Sequence, residues 1–154
     1  MEQSPENLKA FRGRTEHGLD GKGRLNIPAR FRDVLGQTYD DSRLIITSPW
    51  TKCLRVYPLQ EWAKLEAKLV QRAQENPDAG RIVGHLLSGV IETTVDKNGR
   101  ILLPIGHRTE AGLSKDVVLA GLRKYFTIWD KDLYEAENSV DEADFSTVSD
   151  LDYL

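Results

Sequence analysis

The stretch GRTEHGLDGKGRLNIPARFRDVLG, Gly13 to Gly36, returns 76 residues later as GVIETTVDKNGRILLPIGHRTEAG, Gly89 to Gly112. Eight of the 24 paired positions are identical: Gly13/Gly89, Glu16/Glu92, Asp20/Asp96, Gly23/Gly99, Arg24/Arg100, Pro28/Pro104, Arg32/Arg108 and Gly36/Gly112. Unrelated segments would share roughly one or two, so the chain carries an internal duplication. Leu19/Val95, Leu25/Ile101 and Ile27/Leu103 keep apolar character between the identities.

The identities fall where backbone geometry restricts the choice of residue. Phe11, Gly13, Thr15, His17 and Leu19 alternate with Arg12, Arg14 and Glu16, the period of a half-buried strand, and Val90 to Val95 is its β-branched counterpart. Asp20-Gly21-Lys22-Gly23 and Asp96-Lys97-Asn98-Gly99 are turn sequences, because Asp bonds its own backbone and Gly or Asn accepts positive φ. Each turn predicts a hairpin with a return strand, Arg24 to Ile27 or Arg100 to Leu103. A proline then opens a short helix that is expected to stop at a glycine cap, Gly36 or Gly112.

Beyond these helices the copies continue at an offset of 72 residues, pairing Leu54/Phe126, Val56/Ile128, Tyr57/Trp129 and Trp62/Tyr134. Leu44 to Thr47, Cys53 to Tyr57, Val117 to Ala120 and Tyr125 to Trp129 read as strands. Between the copies, Leu59 to Glu75 places Trp62, Leu65, Leu69 and Ala73 on one helical face. A second helix is expected from Asp78, as N-cap, to about Ser88. The organisation expected is an extension (1–10), a first repeat (11–62), a helical connector (63–87), a second repeat (88–134) and an acidic tail (135–154), the tail disordered or loosely docked.

The 154 residues, 40% apolar and 29% charged, suffice for a buried core. No apolar run approaches the ~18 residues of a spanning helix, and Met1 to Glu6 lack the pattern of a signal peptide, so a cytoplasmic protein without a membrane partner is expected. The net charge of −3 conceals a strong asymmetry. Lys9 to Arg32 holds seven basic and two acidic residues (+5), whereas Asp130 to Leu154 holds nine acidic residues against Lys131 (−8). A local basic excess of this kind is what phosphate neutralisation requires.

Two Asp-x-x-x-Arg turns, each with a lysine (Lys22 or Lys97), present basic side chains on a rigid support. Arginine can make paired bonds to guanine in the major groove while lysine holds phosphate, and the Asp would orient the Arg or close the turn. The same residues are equally readable as local ion pairs that pin a turn, and both readings stand on this pattern. Other chemistry has less support. His17, His85 and His107 lack metal-ligand spacing, Gly21-Lys22 is followed by Gly and not by the Ser or Thr of a P-loop, and no nucleophile elbow occurs, so no enzyme and no cofactor or metal are expected. Cys53 reads as a small apolar strand residue, and Trp50, Trp62 and Trp129 as core or subunit-contact anchors.

Phe11-Arg12-Gly13, Leu19-Asp20-Gly21-Lys22-Gly23-Arg24-Leu25, Tyr57-Pro58-Leu59-Gln60-Glu61-Trp62 and Val95-Asp96-Lys97-Asn98-Gly99-Arg100-Ile101 together resemble the MraZ family. The resemblance spans about Phe11 to Tyr134. It implies an α+β, β-rich fold: two pseudo-symmetric AbrB-like halves forming a swapped-hairpin (double-split) β-barrel, with the helical connector between them. It further implies ring-shaped self-assembly and repression at repeated double-stranded promoter boxes of the division and cell-wall gene cluster, in a nucleoid-associated protein. Carried over by position, the DNA-contacting residues fall on Asp20, Lys22 and Arg24 and on Asp96, Lys97 and Arg100. This chain departs from the family in its ten-residue extension and in Asn98, which stands opposite Lys22. The alternative is a ring-forming scaffold that binds a partner protein and no DNA.

Overall fold

Strand alternation and turn chemistry are realised locally much as the sequence predicts, in a computed structural model that describes residues 9–47 and 52–148. Trp50, residues 1–8 of the extension and residues 149–154 of the tail lie outside the described residues. The first copy forms β1 (Arg14–Gly18), β2 (Arg24–Asn26), α1 (Ala29–Val34), a π-helical turn (Leu35–Tyr39), β3 (Arg43–Ile46) and β4 (Leu54–Pro58). The connector is α2 (Leu59–Glu75) and α3 (Pro77–Ser88). The second copy repeats the pattern as β5 (Ile91–Thr94), β6 (Arg100–Leu102), α4 (Ile105–Glu110), β7 (Asp116–Gly121) and β8 (Phe126–Asp130), followed by α5 (Lys131–Glu137) and α6 (Glu142–Ser146).

The expected hairpins do not close. β1 pairs with β7 of the other copy, β5 pairs with β3, and β2 pairs with β6, all antiparallel. Each turn is hydrogen-bonded, but its two flanking strands diverge and take partners from the opposite copy. The result is an open six-stranded sheet, ordered β1-β7-β8-β4-β3-β5, and a separate two-stranded ribbon, β2-β6, rather than one closed barrel. The order reads the same when the copies are exchanged. In the ribbon Leu25 faces its own repeat equivalent Ile101, and in the sheet Arg55 faces its equivalent Thr127, so a pseudo-twofold axis passes through both pairs.

This exchange follows from where the apolar side chains must go. Leu25, Ile27, Ile101 and Leu103 from the two return segments are all buried in a single core with Phe11, Phe31, Leu44, Ile46, Val56, Leu119, Phe126 and Ile128. Phe11, Phe31 and Phe126 form an aromatic triad with ring centroids 5.0 to 5.3 Å apart. A second cluster sits on the opposite face of the sheet, where Trp62 of α2 packs on Ile45 and Tyr57. Trp62 is thus a core residue, while Trp129 is half-buried, edge-on to Tyr134. Cys53 is buried just before β4.

Two helix boundaries differ from the sequence reading. Gly36 does not stop α1: the helix continues into the π-helical turn, and the left-handed residue is Asp40 (φ 48°), whose N–H donates to the Leu35 carbonyl. The continuation carries Tyr39 to Glu61 of α2, where its hydroxyl donates to the carboxylate at 2.5 Å. Gly112 does act as expected, at φ 65°, with its N–H on the Thr109 carbonyl and the Leu113 N–H on Arg108, a Schellman closure. The N-cap of α3 is Asn76, not Asp78: the Asn76 side chain accepts the Asp78 N–H at 2.9 Å, with Pro77 in the first turn.

The acidic segment is more ordered than expected within its described part. α5 is capped by Asp130 and tied to the body by Arg14 donating to the Tyr134 hydroxyl and by the Lys131–Glu16 and Lys52–Glu137 ion pairs. α6 is closed by a reciprocal Asp141/Asp144 capping box, which satisfies backbone donors at the start of this short helix, and its Phe145 is exposed. Among the described residues no helix is long and apolar enough to cross a membrane.

Candidate nucleic-acid interface

Each Asp-x-x-x-Arg turn is built around its aspartate. Asp20 Oδ1 accepts the backbone N–H groups of Lys22 and Arg24, each at 2.9 Å, and Oδ2 accepts Arg24 Nε at 2.5 Å. The backbone closes the same turn through Gly23 N–H to the Asp20 carbonyl and Asp20 N–H to the Arg24 carbonyl. Gly23 holds φ 84°, a conformation that a side chain would strain. These bonds, the Arg24 amide foremost, hold the Asp20 carboxyl well below its ordinary range, at about 2.

The second turn has the same plan with looser side-chain contacts. Asp96 Oδ1 accepts from Asn98 N–H at 2.8 Å and from Arg100 N–H at 3.0 Å, while Oδ2 stands 3.4 Å from Arg100 Nε. The Asp96 pKa is also lowered, again with the Arg100 amide as the leading cause. At the first turn the ion pair and the hydrogen bond are thus one arrangement through Arg24 Nε, whereas at the second Arg100 Nε is buried beside the Asp96 carboxylate in an ion pair without a hydrogen bond. Lys22, Lys97 and Asn98 are exposed at the turn tips.

The ribbon brings the copies together. Its register sets Arg24 opposite Leu102 and Asn26 opposite Arg100. With Leu25 and Ile101 buried beneath, alternation puts Arg24, Asn26, Arg100 and Leu102 on a single outer face. Arg24 and Arg100 are then diagonal neighbours, with Cα atoms roughly 7 to 8 Å apart. Two motifs separated by 76 residues in sequence thus form one basic surface with a lysine-bearing tip at either end.

The surroundings of the two tips differ in charge. A hollow of about 470 Å³ beside the first is lined by Asp20, Arg108, Ser114 and Lys115. Its counterpart beside the second, of about 400 Å³, is lined by Arg32, Asp40, Asp41 and Asp96. Both hollows join an arginine of one copy to the aspartate of the other, a role for Arg32 and Arg108 that sequence reasoning left unassigned. Their identity in the two repeats was the signal.

The three histidines stand apart. His17 shares a hydrogen bond with Thr15 at 2.8 Å, with its pKa lowered chiefly by burial, His107 Nε2 meets the Gly89 carbonyl at 2.7 Å, and His85 lies in the last turn of α3. No group of three or more His, Cys, Asp or Glu among the described residues could hold a metal.

A family model described as "MraZ protein, putative antitoxin-like" matches residues 10–83 and 86–152, nearly the whole chain in two segments. The chain belongs to the MraZ family. Proteins named transcriptional regulator MraZ are similar to it along most of their length. That of Syntrophobacter fumaroxidans is 39% identical over 141 residues, covering 92% of this chain and 93% of the relative. That of Desulforamulus reducens is 41% identical over 140 residues, covering 91% and 95%. That of Desulfitobacterium hafniense is 45% identical over 124 residues, covering 80% and 83%. The two matched segments of the MraZ model meet at the α3 helix, so each contains one Asp-x-x-x-Arg turn.

Proposed function

We propose that this MraZ-family chain is a transcriptional regulator, a repressor, that binds double-stranded promoter DNA through the outer face of the β2-β6 ribbon. The observation that carries the reading is the placement of Arg24 and Arg100 on one outer face, each ion-paired with its own aspartate. A two-stranded ribbon fits the major groove, and an arginine fixed through Nε keeps its remaining N–H groups for guanine O6 and N7. Lys22 and Lys97, at the ends of the ribbon, are placed for phosphates. Relatives that carry the name transcriptional regulator support the assignment.

In this reading 11–62 and 88–134 supply one tip each, and the swapped arrangement of the two halves is the functional unit. Copies assemble into a ring in which several subunits engage evenly spaced boxes upstream of the division and cell-wall genes, so that linkage supplies affinity that one tip pair lacks. The protein then resides with the nucleoid in the cytoplasm. Exposed apolar side chains outside the cores, Ile105 at 72% and Ile82 at 54%, offer surface for assembly.

The test is a gel shift with DNA from upstream of the protein's own gene, random DNA as competitor, and a salt titration. Preferential binding that weakens steeply with salt is expected, because phosphate contacts release counterions. Equal binding to random DNA, or none at low salt, would leave the scaffold reading instead. A single box binding as tightly as several would remove the ring from the mechanism.

A further inference from the structure

Each tip is held by the opposite half of the chain. At the first tip, Leu103 N–H donates to the Gly23 carbonyl at 2.8 Å, and Arg108 Nε donates to the Leu103 carbonyl at 2.9 Å. The Arg108 guanidinium lies against Gly23 so closely that a Cβ there would stand 2.7 Å from its Cζ. At the second tip the pattern is reversed. Ile27 N–H donates to the Gly99 carbonyl at 2.8 Å, Arg32 Nε donates to the Ile27 carbonyl at 3.2 Å, and a Cβ on Gly99 would stand 3.1 Å from Arg32 Cζ.

We propose that Arg108 is the positioning residue for Arg24 and Arg32 the positioning residue for Arg100, so that the aim of each DNA-reading arginine is set by the other repeat. Gly23 and Gly99 immediately precede the reading arginines, and their positive φ decides the direction in which the chain leaves the turn. The aspartate fixes the turn from within. The opposing arginine covers the glycine from outside, a position where a Cβ would collide. A guanidinium suits this work because Cζ and Nε can both stand close over the glycine while Nε donates to a carbonyl, whereas a lysine ammonium cannot do both. The preserved triplets Gly23/Gly99, Ile27/Leu103 and Arg32/Arg108 are the two crossed clamps.

The functional half of this proposal rests on the DNA reading, but the crossing does not. Arg108→Lys and Arg32→Lys in the full chain are compared by amide hydrogen exchange, with Arg108→Gln, which keeps a planar donor on a shorter, uncharged side chain, measured beside them. The Arg108 variants are expected to speed exchange in residues 20–24 and leave 96–100 unchanged, and Arg32→Lys to do the reverse. Binding to the upstream DNA is expected to fall about tenfold in Arg108→Lys, a coupling-scale effect. The same loss should recur in an Arg100→Ala background and vanish in an Arg24→Ala background, a split that general destabilisation would not produce. Faster exchange in the tip of the same half, equal exchange in both, or equal losses in both backgrounds would overturn the proposal. If Arg24→Ala and Arg100→Ala themselves leave DNA affinity unchanged, the DNA reading fails, while the exchange pattern still decides the crossing.

Discussion

Gly23 and Gly36 look alike in the sequence, since each returns 76 residues later, yet the structure gives them opposite tolerances. Gly23 combines φ 84° with a clash against Arg108, so Gly23→Ala should destabilise the protein by about 1 to 3 kcal/mol in denaturant titration. Gly36 lies in the helical turn with no atom within 4 Å of an added Cβ, so Gly36→Ala should stabilise it by about 0.4 to 1 kcal/mol through the unfolded chain. Asp20 makes a second prediction at this scale. Its folded-state pKa, about 2, is below the ordinary carboxylate value, so its contribution to stability is fully present above about pH 4 and is lost as pH falls through about 2. A carbon-detected NMR titration should place the Asp20 midpoint near 2. In Arg24→Ala the midpoint should rise only in part, because the backbone N–H groups of residues 22 and 24 remain as donors.

Among elements, the ribbon and the α3 cap are the sharpest cases. The ribbon face is uneven: the hollow beside the first tip carries Arg108 and Lys115, and the one beside the second carries Asp40 and Asp41. Electrostatic attraction to DNA should therefore be stronger at the first tip. Arg24→Ala is expected to weaken box binding more than Arg100→Ala, each by about 1 to 3 kcal/mol, as measured by fluorescence anisotropy at fixed salt. Equal losses would mean that the flanking charges do not act on the DNA. For α3, Asn76→Ala should cost about 1 kcal/mol of stability, with Asp78→Ala costing less, since the capping oxygen belongs to Asn76. Most of the elements were legible in the sequence. α2 runs from Leu59 to Glu75 as its periodicity requires, because that amphipathic face is a local property. The π-helical turn was not legible, because the contact that accompanies it is to a residue distant in sequence, Glu61, which receives the Tyr39 hydroxyl.

At the scale of the molecule, the halves are interdependent. β1, β2 and β3 of the first copy each hydrogen-bond to a strand of the second, and Phe126 of the second completes the triad with Phe11 and Phe31. A fragment ending at Ser88 should therefore show no folded monomer by circular dichroism and gel filtration. Any folded product should be a dimer in which a second fragment supplies the missing strands. A stable monomeric fragment would contradict the strand exchange.

The sequence by itself determined the duplication, the turns, the connector helices and the Asp-x-x-x-Arg motifs. The turns, helices and motifs depend on residues within a few positions of one another, where φ preference, capping and periodicity act, and the duplication is read by comparing the sequence with itself. Only the tertiary structure decided which strand pairs with which. A ladder in either pairing satisfies the same backbone groups, and the choice is made by burying Leu25, Ile27, Ile101 and Leu103 in one shared core. That choice moved the two arginines onto one face and set Arg32 and Arg108 against the opposite tips.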